Sequence, residues 1–271
     1  MPYRLAAFAD EISPDIQVEM DYLLDHGIRL CCLRGANQKG VLDFEEFQVP
    51  LIKSQFFNRG IRFSALGSPV GKSLITAPFD QELERFQRAC LRAKQFEIRA
   101  IRIFSFYLPE GEDRETRWEE VLRRLTLLAQ QAKEQNLNLL LENAADTYAD
   151  TADHCAGIFS TVNSPNLMCA FDFASFVLAG EDPAAVWPKL KNWVKDFHIK
   201  DAAADGGVRV AGQGQAHIPE VLAAALQGGW AGLLTLEPHL DRTPEFQGKT
   251  GGEQFGAAVE ALKGILAGIG R

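Results

Sequence analysis

The sequence predicts a closed barrel of eight parallel strands that alternate with helices, the (β/α)8 or TIM-barrel class, as one domain over residues 1–271. Short apolar runs are each followed by a longer stretch of helical periodicity, in a cycle of roughly thirty-odd residues that continues to the C-terminus. The apolar runs do not alternate with polar residues, which is typical of parallel strands covered on both faces. No linker-like segment divides the chain, and a barrel of this class ordinarily takes about 250 residues.

Eight apolar runs are the predicted strands, and they cover residues 4–9, 28–33, 61–66, 100–106, 137–142, 167–172, 194–199 and 233–237. Helices are predicted between them, for example over 80–96 and 116–135, where apolar side chains recur at core spacing. Gly27, Gly60 and Gly229 precede strands, at positions where a left-handed residue commonly ends a helix. After the eighth strand we expect a substrate-facing loop over 240–252 and a final helix over 253–267. An open doubly wound sheet is the competing architecture, and it is weakened because no G-x-G-x-x-G follows the first strand.

Composition and charge are those of an ordinary globular protein, since 46% of the residues are apolar and 24% are charged. Lys and Arg number 28 against 36 Asp and Glu, which gives a net charge of −8. A chain of this charge repels phosphate backbones. We therefore expect no nucleic-acid partner.

The five cysteines are odd in number and scattered, and none lies in a C-x-x-C pair, so we expect them to be reduced. Asp10 and Glu11 follow the first short apolar run, unlike the long apolar segment of a signal peptide. No apolar run reaches the roughly 18 residues that span a bilayer. These features predict a cytoplasmic protein with no membrane partner.

Ionisable side chains end four successive strands of the predicted barrel: Glu142, Asp172, His198 and Glu237. In this fold, function collects at the C-terminal ends of the strands. Burying a lone carboxylate costs several kcal/mol, so three carboxylates and an imidazole at one mouth call for a cation. Any one of them alone could be an ion-paired, capping or core residue, but the set favours one divalent metal ion. Three oxygens and one nitrogen suit Mn²⁺, Mg²⁺ or Co²⁺, with Zn²⁺ also possible.

The motifs around these residues resemble a known family. They are E-N at Glu142, F-D at Asp172, H-I-K-D from His198, G-x-G over 212–214 and L-E-P-H-L around Glu237. Together they resemble the xylose-isomerase-like TIM-barrel superfamily of sugar isomerases, epimerases and related enzymes, which includes the AP-endonuclease-2 type barrels. One departure is Ser175, which stands where ketose epimerases often place a substrate-binding histidine.

The resemblance implies a divalent-metal-dependent sugar or sugar phosphate isomerase or epimerase. It implies that Glu142, Asp172, His198 and Glu237 bind the metal and that Glu142 and Glu237 are also the catalytic acid and base. Such an enzyme moves a proton through a metal-stabilised enediolate. Two carboxylates on opposite sides of the carbon would invert it, whereas one carboxylate serving both carbons would interconvert aldose and ketose.

Two lysines are candidates for substrate binding. Lys200 is two residues after His198 and points to the same side of a continuing strand. Its alternative role is an ion pair with Asp201 or another acid. Lys72, in the loop after the third strand, is a candidate ligand for a phosphate or carboxylate, and a solvated loop lysine is the alternative.

Arg34 and His239 complete the predicted substrate site. Arg34 closes the second strand, and we favour it for the mouth over Arg102, which could pair inside the barrel wall. His239 has the same strand parity as Glu237, so it is expected beside that carboxylate. The substrate is expected to be a small carbohydrate.

Several alternatives remain at this stage. A metal-dependent lyase or dehydratase acting on a keto-sugar, keto-inositol or keto-glycoside would begin with the same proton removal. A non-catalytic sugar-binding barrel is disfavoured because binding alone would not need both Glu142 and Glu237. An apurinic-site endonuclease is disfavoured by the charge of −8 and by having 5 histidines in all. We also expect a homo-oligomer, a dimer or tetramer, because barrels of this kind commonly associate through their outer helices.

Overall fold

A computed structural model describes residues 2–270, so Met1 and Arg271, the two ends of the predicted domain, lie outside the described residues. Eight parallel strands close into a barrel in which each strand pairs with its neighbours in the sequence and the last pairs with the first. The (β/α)8 prediction is confirmed. The strands are β1 (Tyr3–Ala7), β2 (Leu30–Leu33), β3 (Arg62–Gly67), β4 (Ala100–Ile103), β5 (Asn138–Glu142), β6 (Leu167–Asp172), β7 (Val194–Ile199) and β8 (Gly232–Leu236).

Helices follow every strand, as the sequence predicted. They are α1 (Ile16–Asp25), α2 (Gln48–Asn58), α3 (Phe79–Gln95), α4 (Trp118–Glu134), α5 (Ala152–Val162), α6 (Phe173–Leu178), α7 (Pro183–Leu190), α8 (Ile218–Gln227) and α9 (Gly251–Ile269). The last helix begins with a capping box in which Thr250 and Glu253 satisfy each other's backbone N–H groups. Among residues 2–270, no helix is both long and apolar enough to cross a membrane.

The fourth strand is shorter than predicted, ending at Ile103 rather than at residue 106. The apolar run continues, but the backbone N–H of Phe104 donates to the carbonyl of Val70 in the loop after β3 at 2.8 Å. Phe106 takes a left-handed φ of 73°, which no strand residue can keep. The predicted strand was too long because the apolar run continues past Ile103, where the backbone leaves the barrel.

The core has two parts, separated by the barrel wall. Inside the barrel, a small apolar cluster contains Phe8, Cys32, Ala65, Leu140 and Ala170. The larger core fills the space between the strands and the outer helices. All five cysteines are buried and free of disulfides. The inner cluster supports the polar side chains that lie above it at the C-terminal ends of the strands.

One irregularity in β7 decides which side chains face the barrel interior. Cys169 of β6 is opposite Val194, but the next residue, Ala170, is opposite Asp196, so Lys195 is an extra residue in β7. Val194 packs in the outer core, whereas Asp196 and His198 face inwards. This β-bulge reverses the alternation of the strand. It aligns His198 with Asp172 across the sheet.

Candidate metal centre and active site

Four buried side chains converge at the C-terminal mouth of the barrel, and they are the four that the sequence singled out. Glu142 ends β5, Asp172 ends β6, His198 lies in β7 and Glu237 follows β8. One donor atom from each residue lies within 4.8 Å of the others. Asp172 also accepts a hydrogen bond from the backbone N–H of Ser175 at 2.7 Å, which fixes the start of α6. The strand ends thus place three carboxylates and one imidazole around a common point.

The two nitrogens of His198 face different partners. Nδ1 lies 3.3 Å from Oε2 of Glu142 and 3.4 Å from Oε2 of Glu237. Nε2 lies 3.8 Å from Oδ2 of Asp196, whose other oxygen accepts a hydrogen bond from the Thr235 hydroxyl at 2.7 Å. Nδ1 is therefore the nitrogen that can bind a metal together with the two glutamates. Asp196 is a site residue that sequence analysis missed.

Each carboxylate of the cluster contacts a lysine or arginine. Arg102 Nη1 lies 2.7 Å from Glu142 Oε2, and Lys200 Nζ lies 2.7 Å from Asp172 Oδ2. Glu237 has two such partners, Arg34 Nη1 at 2.8 Å from Oε1 and Lys200 Nζ at 3.9 Å from Oε2. Arg102 does pair within the barrel wall, but its partner Glu142 is a residue of the site, and Arg102 lines the same cavity as Arg34. Lys200 does form the ion pair of its alternative role, with Asp172 and not with Asp201. Asp201 accepts backbone N–H groups of the G-x-G loop instead.

The cluster has a strongly negative potential. Burial would raise the pKa of Glu142, but Arg102 and His198 beside it hold that pKa at about 2. Burial also opposes ionisation of Glu237, yet Lys200 and His198 hold its pKa well below the usual range. Burial would lower the pKa of His198, but the neighbouring glutamates raise it well above its ordinary value. A site that protonates a buried imidazole attracts positive charge.

The donor set fits a divalent metal ion. Both ring nitrogens of His198 and Oε2 of Glu237 are buried and have no hydrogen-bond partner among residues 2–270. Leaving such atoms uncompensated costs about 1–3 kcal/mol each. Carboxylate oxygens with one imidazole nitrogen are donors that Mg²⁺, Mn²⁺, Co²⁺ and Zn²⁺ accept. Metal binding by these four residues remains a prediction.

Beside the cluster, a second acidic group surrounds Arg34. Its guanidinium donates to Asp10 at 2.8 Å and to Glu11 at 3.1 Å, as well as to Glu237. His239 Nε2 lies 3.0 Å from Oε1 of Glu11 and 3.5 Å from Oε1 of Glu237, so His239 does lie beside Glu237. Glu11, Glu237 and His239 are close enough to hold an ion, but here the guanidinium already compensates both carboxylates. Sequence analysis gave Asp10 and Glu11 no role at the site.

A cavity of about 1030 Å³ adjoins the cluster, and Glu142 and Glu237 are the two cluster residues that line it. The lining includes all four predicted substrate-binding residues, Arg34, Lys72, Lys200 and His239, together with Arg102, Glu142 and Glu237. It continues past the hairpin formed by Gly35–Ala36 and Lys39–Gly40 to the loop after β8. The space is large enough for a sugar-sized molecule, and most of its lining residues are polar or charged.

The closed barrel and the buried, metal-compatible cluster at its C-terminal mouth define a (β/α)8 protein with a candidate metal centre. The sequence profile of the xylose isomerase-like TIM barrel family matches residues 20–265, and the chain belongs to this family.

Two curated relatives are dehydratases. The 3-dehydroshikimate dehydratase of Bacillus anthracis is 23% identical over 130 residues, which cover 48% of this chain and 46% of that enzyme. The inosose dehydratase of Clostridium tetani is 26% identical over 91 residues, which cover 34% of this chain and 30% of that enzyme. The chain thus spans less than half the length of the curated relatives it matches.

Solved structures share the fold over nearly the whole chain. The IOLI protein with a bound zinc atom has a TM-score of 0.79 at 17% identity and covers 98% of this chain and 99% of that one. The probable 3-DHS dehydratase of Bacillus anthracis has a TM-score of 0.76 at 18% identity and covers 97% and 99%. D-Psicose 3-epimerase of Clostridium cellulolyticum H10, with D-tagatose, has a TM-score of 0.76 at 12% identity and covers 97% and 98%.

Proposed function

We propose that this protein is a divalent-metal-dependent isomerase or epimerase that moves a carbon-bound proton next to the carbonyl of a keto-sugar or related hydroxy-ketone. The observation that carries the proposal is the placement of Glu142 and Glu237. Both carboxylates line the same cavity and approach the same nitrogen of His198, at 3.3 and 3.4 Å. Proton transfer at carbon needs a base and an acid within reach of one substrate, and two such carboxylates supply them.

Glu142, Asp172, His198 and Glu237 would hold the ion. When bound, a divalent ion supplies Lewis acidity, which makes the C–H bond beside a coordinated carbonyl easier to deprotonate. Glu142 and Glu237 are ionised at neutral pH because neighbouring cations lower the pKa of each. One of them accepts the proton from carbon, and the same residue or the other returns it.

The surrounding cations position the reacting groups. The Arg102 and Arg34 guanidinium groups hold Glu142 and Glu237 in place through hydrogen bonds of 2.7 and 2.8 Å. The Lys200 ammonium reaches Asp172 and lines the cavity, where it can also contact a substrate oxygen. We propose Lys200, Arg34, Lys72 and His239 as the substrate-binding residues.

Dehydration is the second candidate reaction. The curated relatives are a 3-dehydroshikimate dehydratase and an inosose dehydratase, each matched over part of its length. Dehydration starts with the same proton removal, after which a hydroxyl on the next carbon leaves as water. His239 lines the cavity 3.5 Å from Glu237 and offers a ring N–H to such a hydroxyl.

The deciding experiment incubates the protein with Mn²⁺, Mg²⁺ or Co²⁺ in D₂O and a panel of keto-sugars and inososes. Deuterium at carbon in recovered or epimerised sugar is the expected result. Release of water with formation of an unsaturated product would favour the dehydratase instead. If sugars bind but neither reaction occurs, the protein is a sugar-binding barrel and the proposal is wrong.

We further propose Mn²⁺, Mg²⁺ or Co²⁺ as the working metal, one ion per chain, in a cytoplasmic homo-oligomer. The three oxygen donors favour these ions over a closed tetrahedral zinc site. Elemental analysis of purified protein measures the metal, and light scattering measures the oligomeric state. Zinc bound by cysteine, or a monomer, would contradict the respective part.

A further inference from the structure

Lys72 differs from the other cations that line the cavity near the cluster. Arg34, Arg102 and Lys200 each contact a carboxylate, and Lys39 on the rim pairs with Glu45 at 3.0 Å. Within residues 2–270, no carboxylate lies within 4.0 Å of the Lys72 ammonium, and it makes no hydrogen bond. The ammonium lies over the ring of Phe104, whose centroid is 4.2 Å from Nζ. Its charge is therefore available to a ligand.

The loop that carries Lys72 is held on both sides of the residue. The buried carboxylate of Glu82 accepts the Gly71 N–H and the Ser73 hydroxyl, each at 2.7 Å. Gly71 has a φ of 84°, and a Cβ there would lie 2.0 Å from the Phe104 carbonyl oxygen, so only glycine fits. A fixed loop loses little entropy when its lysine binds a ligand.

The charge near Lys72 favours an anion. Arg34, Arg102 and Lys200 are already engaged by Glu237, Glu142 and Asp172, and Lys72 is not. Lys72 is exposed to the cavity, and partial desolvation together with the nearby Arg102 lowers its pKa. An anionic group on the substrate would compensate both effects.

We propose that Lys72 binds a carboxylate group of the substrate, so that the substrate is a keto-sugar acid rather than a neutral sugar. This inference rests on the proposed function of the site. Phosphate is disfavoured because the backbone N–H groups of the three residues that end at Lys72 are already engaged and cannot surround it. Those of Val70, Gly71 and Lys72 donate to Ser68 Oγ, Glu82 and the Pro69 carbonyl. One ammonium suits a monoanionic carboxylate better than a phosphate dianion.

Three compounds with one carbon skeleton test the proposal: D-fructose, D-fructuronate and D-fructose 6-phosphate, which differ only at the sixth carbon. Titration calorimetry with the Mn²⁺-loaded full-length protein measures the affinity for each. We expect D-fructuronate to bind roughly 10- to 100-fold more tightly than D-fructose, the usual value of a charged hydrogen bond. In Lys72→Gln the affinity for D-fructuronate falls to that for D-fructose, while the affinity for Mn²⁺ is unchanged.

Two matched variants serve as controls. Lys39→Gln removes a lysine of the same cavity that is already ion-paired, and it should keep the preference. Arg242→Gln removes the rim arginine that, like Lys72, contacts no carboxylate of residues 2–270, and it should keep the preference too. If Arg242→Gln rather than Lys72→Gln removes the preference, or if fructose 6-phosphate binds most tightly, the proposal is wrong.

The outcomes also separate this inference from the proposed reaction. Deuterium exchange into D-fructose with no preference for D-fructuronate would overturn the carboxylate site and leave the proton transfer intact. A Lys72-dependent preference for D-fructuronate without any deuterium exchange would support the carboxylate site and count against the isomerase or epimerase. Absence of binding by all three compounds would overturn the carboxylate site.

Discussion

The Nε2 atom of His198 lies 3.8 Å from the buried Oδ2 atom of Asp196, while its Nδ1 atom faces the glutamates of the candidate metal centre. Neither nitrogen has a hydrogen-bond partner among residues 2–270. A metal-binding histidine ordinarily donates its second N–H to a carboxylate or carbonyl, which fixes the tautomer and the ring orientation. Asp196 is placed to do this for His198.

Replacing Asp196 by Asn should weaken Mn²⁺ binding about 10- to 100-fold, because the ring would lose the carboxylate that orients it. Thr235→Val, which removes the hydrogen bond to the other oxygen of Asp196, should have a smaller effect in the same direction. Calorimetry measures both affinities, with exposed Asp25→Asn at the end of α1 as control. Unchanged affinity in Asp196→Asn would show that the aspartate plays no part in metal binding.

Replacing Glu237 by Gln should reduce turnover by roughly 100- to 10,000-fold and also weaken metal binding. The amide keeps the shape of the side chain but cannot accept a proton from carbon, and it is a poorer metal ligand. Deuterium exchange and Mn²⁺ titration measure the two effects. Glu245→Gln, an exposed change in the same loop, should leave both unchanged. Full turnover in Glu237→Gln would remove this residue from the mechanism.

Replacing Arg34 by Met should reduce the free energy of unfolding by about 3 kcal/mol in the absence of metal. That is the lower end of the cost of breaking a buried ion pair, chosen because Arg34 is 26% exposed. Excess Mn²⁺ should then raise the melting temperature more in this variant than in the wild type, since Glu237 would have lost the cation that lies closest to it. Arg59→Met removes an exposed pair with Asp21 and should cost under about 1 kcal/mol. Equal metal-induced shifts would contradict the prediction.

The stability of the protein should fall with rising pH because of Glu19 in α1. Burial, with help from Asp10 and Asp15, raises the pKa of Glu19 from 4.5 to about 8. The protonated Glu19 contributes fully to the free energy of unfolding below pH 4.5. This contribution falls by about 1.4 kcal/mol per pH unit as the pH rises towards 8, because the unfolded chain releases the Glu19 proton at a lower pH than the folded protein does. Glu19→Gln should remove this slope and be more stable than wild type at pH 9. Chemical denaturation at pH 5, 7 and 9 measures it, with exposed Glu84→Gln as control. Parallel pH profiles for wild type and Glu19→Gln would contradict it.

The fold and the four residues of the candidate metal centre were both predictable from the positions of the apolar runs. Apolar runs mark the strands, and in a parallel barrel the residues that end them meet at one mouth. Glu142, Asp172 and Glu237 each end or directly follow a strand, so their convergence needed no knowledge of distances.

The partners of these residues were not predictable in the same way. Arg102 lies inside β4, and strand alternation alone does not say whether its guanidinium reaches along the wall to Glu142. Asp196 has the same strand parity as His198, so a period of two counted back from the histidine places it inside the barrel, but parity alone does not show that its carboxylate approaches Nε2. Asp10 and Glu11 come from the loop after β1 and meet Arg34 from β2, a contact set by loop conformation.

The extra residue in β7 also determines where the chain can change in length. Lys195 is exposed, and removing it would simply restore regular alternation, leaving Val194 outside and His198 inside. Loss of one residue between the bulge and His198 would instead turn the imidazole towards the helices and remove it from the candidate metal centre. A deletion in β7 is therefore compatible with the candidate metal centre at Lys195 but not between Lys195 and His198.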